Sequence, residues 1–253
     1  MESIATRLAV VQERIAAAAR RAGRSATEIT LVGVTKTQPF AVAAEALAAG
    51  LTHFGENRVQ EAEEKIAALD RERPQITWHL IGHLQRNKAK KAAALFDMIH
   101  SVDSLRLAEA LARGWGSETA RTPIPQPPSP IPLPVLLQVN VSGEDSKEGF
   151  ALAGWERQPA VLDAFLAEVE ALLALPQLRV RGLMTIAPWS ADPEQARPTF
   201  RAARRMRDML ARRFPQADWS AVSMGMTDDF EVAIEEGATI VRVGRAIFGE
   251  RKA

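Results

Sequence analysis

Neither cysteine nor tyrosine occurs among the 253 residues of this chain. The first absence excludes disulfides, thiolate metal ligands and cysteine nucleophiles, and it fits a reducing compartment. The second removes the phenol from the set of available acids and bases. Neither sign of charge dominates: 32 basic and 31 acidic side chains nearly cancel, so no global field draws the chain to nucleic acid or to an anionic membrane. No apolar stretch reaches membrane-spanning length. Residues 1–24 interrupt their apolar positions with Glu2, Arg7, Glu13, Arg14 and Arg20, unlike a signal peptide. The expectation is a cytoplasmic protein, with nucleic acid and membrane excluded as partners.

What is present is a composition able to bury a large core, with 47% hydrophobic and 25% charged residues. The length suits one α/β barrel better than two domains, so residues 1–253 are read as a single domain. Apolar positions at helical spacing, including Ile4, Leu8, Val11 and Ile15, predict a leading helix over residues 3–22. Apolar runs over residues 29–35, 52–55, 76–82, 98–102, 135–141, 178–186, 221–223 and 239–243 then predict eight strands. Helical patterns separate or follow them at 39–49, 58–69, 87–95, 104–113, 159–174, 193–214 and 229–236. Strands alternating with helices imply parallel pairing through right-handed crossovers, and eight such units close a TIM-like (β/α)8 barrel. The rival is a doubly wound open sheet, which normally uses fewer strands. Residues 121–134 carry seven of the fifteen prolines and read as a loop insertion, unable to form helix or a central strand.

In a barrel, functional groups gather where strands hand over to helices. Those positions hold Lys36, Glu56 with Asn57, His83, Ser101 with Asp103, Asn140, Ser223, and Arg242 with Arg245. Lys36 directly follows the apolar run Leu31-Val32-Gly33-Val34-Thr35. A lysine partly desolvated in a barrel mouth has the chemistry of a Schiff-base amine, although a strand-end lysine reaching for water looks the same. The last two strands are where TIM barrels often build a phosphate site. Here Ser223-Met224-Gly225-Met226-Thr227 offers two hydroxyls and a glycine, and Val243-Gly244-Arg245-Ala246-Ile247-Phe248-Gly249 offers amides at a helix start. Both glycines also suit plain turns. Arg242 lies inside the run Ile240-Val241-Arg242-Val243, where a buried guanidinium needs an acceptor; a pyridine nitrogen and a neighbouring carboxylate serve equally. No metal site is expected, because His79 and His83 are separated by about 13 Å along a strand. The six arginines between residues 201 and 213 describe a solvated helix face.

Several blocks together carry a family resemblance. They are Leu31 to Thr37; Phe54-Gly55-Glu56-Asn57 with Val59-Gln60-Glu61; Trp78 to Lys88; and Gln138 to Ser142 with Ser146 to Gly149. Arg181 to Ile186, Ser223 to Phe230 and Val241 to Gly249 follow in order. In these blocks the chain resembles the YggS/PROSC family of pyridoxal phosphate homeostasis proteins. The resemblance implies a barrel like the N-terminal domain of alanine racemase (fold type III), with pyridoxal 5′-phosphate bound covalently as a Schiff base on Lys36 and Asn57 nearby. It implies phosphate contacts at Ser223, Gly225, Gly244 and Arg245, with Arg242 facing the pyridine nitrogen. Arg245 stands where relatives often carry a small hydroxyl residue, and Arg58 where tyrosine is common.

An arginine at the pyridine nitrogen leaves it unprotonated and weakens the ring as an electron sink. The expected function is therefore a non-catalytic carrier that stores, buffers or delivers the cofactor, with no catalytic residue. Its expected partners are the cofactor and pyridoxal phosphate-dependent apoenzymes, and its expected state is a monomer. The runner-up is a small racemase or decarboxylase with His83 as the spare base, and a third reading is a barrel enzyme for a phosphorylated metabolite.

Overall fold

Helix α1 (Ile4–Arg21) starts where Ser3 accepts a hydrogen bond from the Thr6 amide at 3.1 Å, satisfying one of the orphan donors of the first turn. Its buried stripe of Ile4, Leu8, Val11, Ile15, Ala18 and Ala19 follows the helical period and packs on the last two helices of the chain. Arg14 and Arg21 fix that packing through ion pairs to Glu231 and Glu235.

The computed structural model describes residues 2–69, 76–115 and 131–249. Eight parallel strands form the barrel: β1 (Thr30–Val34), β2 (His53–Glu56), β3 (Thr77–Leu80), β4 (Met98–Val102), β5 (Leu133–Asn140), β7 (Leu178–Met184), β8 (Ala221–Ser223) and β9 (Ile240–Val243). Pairing runs β1 to β2 to β3 to β4, then through β5, β7 and β8 to β9, which returns to β1. The ring is closed, which excludes the open sheet. A two-residue strand, β6 (Phe150–Ala151), lies parallel beside β5 and was not foreseen in the sequence. The surrounding helices are α2 (Phe40–Ala48), α3 (Val59–Ala68), α4 (Ala89–Leu95), α5 (Leu105–Gly114), α6 (Pro159–Leu173), α7 (Arg197–Arg213), α8 (Phe230–Glu235) and the short α9 (Arg245–Phe248).

The proline-rich segment falls mostly outside the described residues, but its end corrects the expectation. Leu133 and Pro134 belong to β5, where Pro134 stands opposite Arg179. A proline fits near the start of a strand because its missing N–H removes one ladder bond, and the register shifts immediately afterwards, between Val135 and Leu136. The expected helix over 193–214 is a 3-10 turn, Pro193–Ala196, leading into α7.

Strand parity sorts side chains into two layers. Phe54, Trp78, Ile99, Val241 and Val243 point outward into the large core beneath the helices. Val32, Leu136, Met184, Ala221 and Ile240 point inward and pack together inside the ring. The seam between β7 and β8 is tightest at Gly182, whose φ is +146° and whose added Cβ would lie 1.8 Å from the Ala221 carbonyl oxygen. Gly182→Ala is expected to destabilise the fold by about 3 kcal/mol, read from urea denaturation. A wild-type midpoint would show that β7 and β8 slide apart at little cost.

Candidate functional site

At the C-terminal mouth of the barrel lies a cavity of about 370 Å³. Its polar lining comprises Lys36, Asn57, Thr227, Asp228, Arg242, Gly244 and Arg245, with Val34, Ile81, Ile186, Trp189 and Met226 as apolar walls. Three cations and one carboxylate leave the lining net positive.

The position of Lys36 is set from behind. Thr35 is fully buried, and its hydroxyl donates to Glu56 Oε1 at 2.6 Å. Lys65, reaching in from α3, donates to the same oxygen at 2.7 Å and to the Thr35 carbonyl at 2.5 Å. One buried carboxylate thereby ties the residue before Lys36 to the residue before Asn57. Burial pushes the Glu56 carboxyl up, while the bonds from Lys65 and Thr35 pull it back. Immediately after Lys36 the chain turns through Thr37, at φ 63°, a left-handed conformation costly for a β-branched residue. Asn57 is held by close packing, since a Cβ on Gly82 would stand 2.4 Å from the Asn57 carbonyl oxygen.

Arg242 forms the floor of the cavity and is buried, with 3% of its surface exposed. Its Nη1 donates to Ser223 Oγ at 2.7 Å and its Nη2 to the Thr185 carbonyl at 3.1 Å. Both of these acceptors are neutral oxygens, and burial lowers its pKa to about 10, opposed by the nearby Asp229 carboxylate. Below Arg242 the barrel interior holds a polar column that the sequence reading missed. His100 Nδ1 lies 2.9 Å from Ser223 Oγ, His79 Nδ1 lies 2.9 Å from His100 Nε2, and His53 Nδ1 lies 3.0 Å from His79 Nε2. Burial drives the imidazole of His79 down to about 3 and that of His100 well below the ordinary value, so both are neutral at pH 7. The signal available in the sequence was parity, because each of these histidines stands at an inward position of its strand.

The other expected site residues separate into two groups. Lys36, Asn57, Arg242, Gly244 and Arg245 share the cavity. Ser223 does not line it; its buried hydroxyl faces the interior between Arg242 and His100. Gly225 does not line it either, and a Cβ there would strike Ala233 at 2.6 Å and Phe230 at 2.8 Å, so this glycine serves packing against α8. At Gly244 a Cβ would meet nothing closer than 3.6 Å, leaving its backbone open to a ligand. The Arg245 side chain is ion-paired with Asp228 at the rim. Arg58 is exposed and paired with Glu61, away from the cavity. His83 stands outside the lining, beside Asp103 at 3.3 Å and Glu148 at 4.0 Å. Thr227, one of the two hydroxyls expected on the loop after β8, lines the cavity, whereas the walls Ile81, Ile186 and Trp189 had not been singled out in the sequence.

Residues 7–252 match the family model for the alanine racemase N-terminal domain. The chain is 43% identical over 256 residues to the pyridoxal phosphate homeostasis protein of Escherichia coli, covering 99% of this chain and 98% of that one. It belongs to that protein family. PipY of Synechococcus elongatus, solved with pyridoxal phosphate bound, is 39% identical and superimposes with a TM-score of 0.77, covering 97% of this chain and all of that one. The alanine racemase of Corynebacterium glutamicum shares the fold at 18% identity, with a TM-score of 0.65 over 96% of this chain and 62% of its own.

The neutral histidines give the family's barrel a pH dependence here. A base whose folded pKa is depressed contributes stability that is fully present above the unfolded value near 6.5 and is lost as pH falls toward the folded value. For His79 that window runs from about 6.5 to about 3, at about 1.4 kcal/mol per pH unit. His79→Gln, which keeps a donor and an acceptor but cannot charge, should flatten the acid loss of stability by about that slope. Urea denaturation between pH 6 and pH 4 measures it, and an unchanged slope would mean that His79 charges in the folded state.

Proposed function

We propose that the protein binds pyridoxal 5′-phosphate covalently through Lys36 and stores, buffers or delivers it, so affecting amino-acid and keto-acid balance. One observation carries this reading: a single barrel-mouth cavity brings together a strand-end amine, Lys36, and a buried guanidinium, Arg242. The residues fit the cofactor. The positive lining suits a dianionic phosphate, Gly244 presents open backbone, and Arg242 stands at the floor with its bonds to Ser223 and Thr185 made to neutral oxygens. The likeness to PipY, solved with pyridoxal phosphate bound, supports the same reading.

When bound, the cofactor supplies an aldehyde that amines attack and a ring that withdraws electrons. Lys36 would provide the attachment amine with Asn57 beside it, and Arg242 would offer an N–H to the ring nitrogen. Gly244 and the Arg245 amide would hold the phosphate together with the Thr227 hydroxyl, while the Arg245 side chain is paired with Asp228. Ser223 acts by holding Arg242, and Gly225 by shaping the turn that carries Thr227. Recipient apoenzymes, a cytoplasmic location and a monomeric state complete the reading.

A racemase or decarboxylase is the less favoured alternative. Racemisation needs two opposed proton carriers. Among the lining residues the carriers besides Lys36 are Asp228, engaged with Arg245, and the two arginines; His83 stands apart with Asp103. A carrier needs none of these.

Lys36→Ala is expected to abolish the borohydride-fixed adduct while leaving the thermal midpoint within a few degrees, because one half-buried strand-end side chain contributes little packing. Peptide mapping of the reduced wild-type protein identifies the modified lysine, and an adduct elsewhere would refute the assignment. In deuterated water, a panel of L- and D-amino acids should show no enzyme-like racemisation. Fast exchange lost in both Lys36→Ala and His83→Ala would favour the racemase.

A further inference from the structure

The histidine column crosses the barrel from one end to the other. His53 opens β2 at the N-terminal end, opposite Thr77, so His79 sits two residues nearer the mouth on β3. His79 is opposite Met98, so His100 sits two residues higher again on β4. From His100 the chain crosses the interior to Ser223 at the end of β8, and so to Arg242. Each step is within hydrogen-bonding distance, from 2.9 to 3.0 Å between the rings and 2.7 Å at the arginine.

Such a chain has two self-consistent directions, because a neutral imidazole donates from one nitrogen and accepts at the other. Arginine only donates, so Ser223 Oγ accepts from Arg242. The serine is fully buried, and His100 Nδ1 is the acceptor that faces its own hydroxyl proton. If His100 instead donated to Ser223, the serine proton would lose this acceptor in a buried site, which is the less stable arrangement. His100 therefore accepts at Nδ1 and donates from Nε2 to His79, and His79 does the same toward His53. At the far end, burial lowers the His53 imidazole and the Asp97 carboxylate opposes that shift. The chain thus runs from a cation that only donates to an end under the field of an anion.

We propose that His53, His79, His100 and Ser223 form one directional hydrogen-bond chain with every imidazole protonated on Nε2, and that His100, acting through Ser223, is a positioning residue for the Arg242 guanidinium. The chain fixes where Arg242 presents its remaining N–H groups at the cavity floor. The tautomer assignment stands on the protein alone, whereas the effect on ligand binding rests on the reading of the cavity as a pyridoxal phosphate site.

Long-range ¹H–¹⁵N spectra of the imidazole rings in the cofactor-free protein at pH 7 test the first part. All three histidines are expected neutral and Nε2-protonated; an Nδ1–H form or a charged ring at His79 or His100 would overturn the direction. In Arg242→Met the constraint on Ser223 is gone, and Nδ1–H forms should become detectable at His100 and His79. A folded variant with unchanged tautomers would show that Arg242 does not set them. For the second part, His100→Phe should weaken pyridoxal phosphate binding about tenfold and shift the absorbance of the bound cofactor, as loss of one bond supporting a charged donor implies. His100→Asn, which keeps an acceptor for the serine hydroxyl, should restore most of both. Equal effects of Phe and Asn in folded variants would reduce His100 to a packing residue. If the wild-type protein bound no pyridoxal phosphate, the functional reading would fail while the tautomer result remained.

Discussion

The barrel is organised around a guanidinium that has been taken out of water. Burying Arg242 costs several kcal/mol before any compensation, and the bonds given to it are to a serine hydroxyl and a backbone carbonyl, with Asp229 acting from nearby. Those partners must be held in place, since a donor facing a displaced acceptor loses most of its stabilisation. The interior supplies that rigidity through Ser223 and the imidazoles beneath it. A small hydrophobic layer of Val32, Leu136, Met184, Ala221 and Ile240 fills the rest of the ring and keeps the surroundings poor in water. A lining that still carries excess positive charge at the mouth is then suited to a dianion.

The outer face of the same strands solves a different problem. Glu56 points away from the lumen and meets Lys65 beneath α3, so its charge is compensated where the helices cover it. Because Thr35 joins that pair, the junction where β1 ends is fixed from the helix layer, and the strained turn at Thr37 follows directly. Lys36 thus projects from a backbone held on one side by a buried ion pair and on the other by a left-handed residue. A flexible lysine gains precision in this way even though its own chain has several free rotations.

Strand and helix periodicity made the barrel legible, since eight apolar runs alternating with amphipathic helices leave few topologies open. Lys36, Asn57 and Arg242 were legible because they stand at or near the ends of those runs. Ser223 was placed on the right strand, but whether its hydroxyl faced the mouth or the interior depended on the twist of a three-residue strand, which no local pattern encodes. Pro134 was misread because proline is generally excluded from central strands, whereas the first residues of a strand tolerate it. The histidine column was hidden for a geometric reason. Its members are 26 and 21 residues apart in sequence, and they meet because barrel stagger raises each successive strand's inward position by two residues.

The same geometry bears on the proposed carrier role. A catalytic site of this kind moves protons on both faces of its substrate, which requires titratable groups whose pKa values lie near the working pH. Several titratable groups of the barrel are engaged elsewhere: Glu56 with Lys65 on the outer face, and His79 and His100 in a neutral interior chain far from their ordinary titration range. At the rim, Asp228 is engaged by Arg245. The cavity itself presents the Lys36 amine and the guanidinium groups of Arg242 and Arg245, beside the neutral side chains of Asn57 and Thr227. On the proposed carrier reading, these groups suit the holding of an anionic aldehyde, a role that requires no second base.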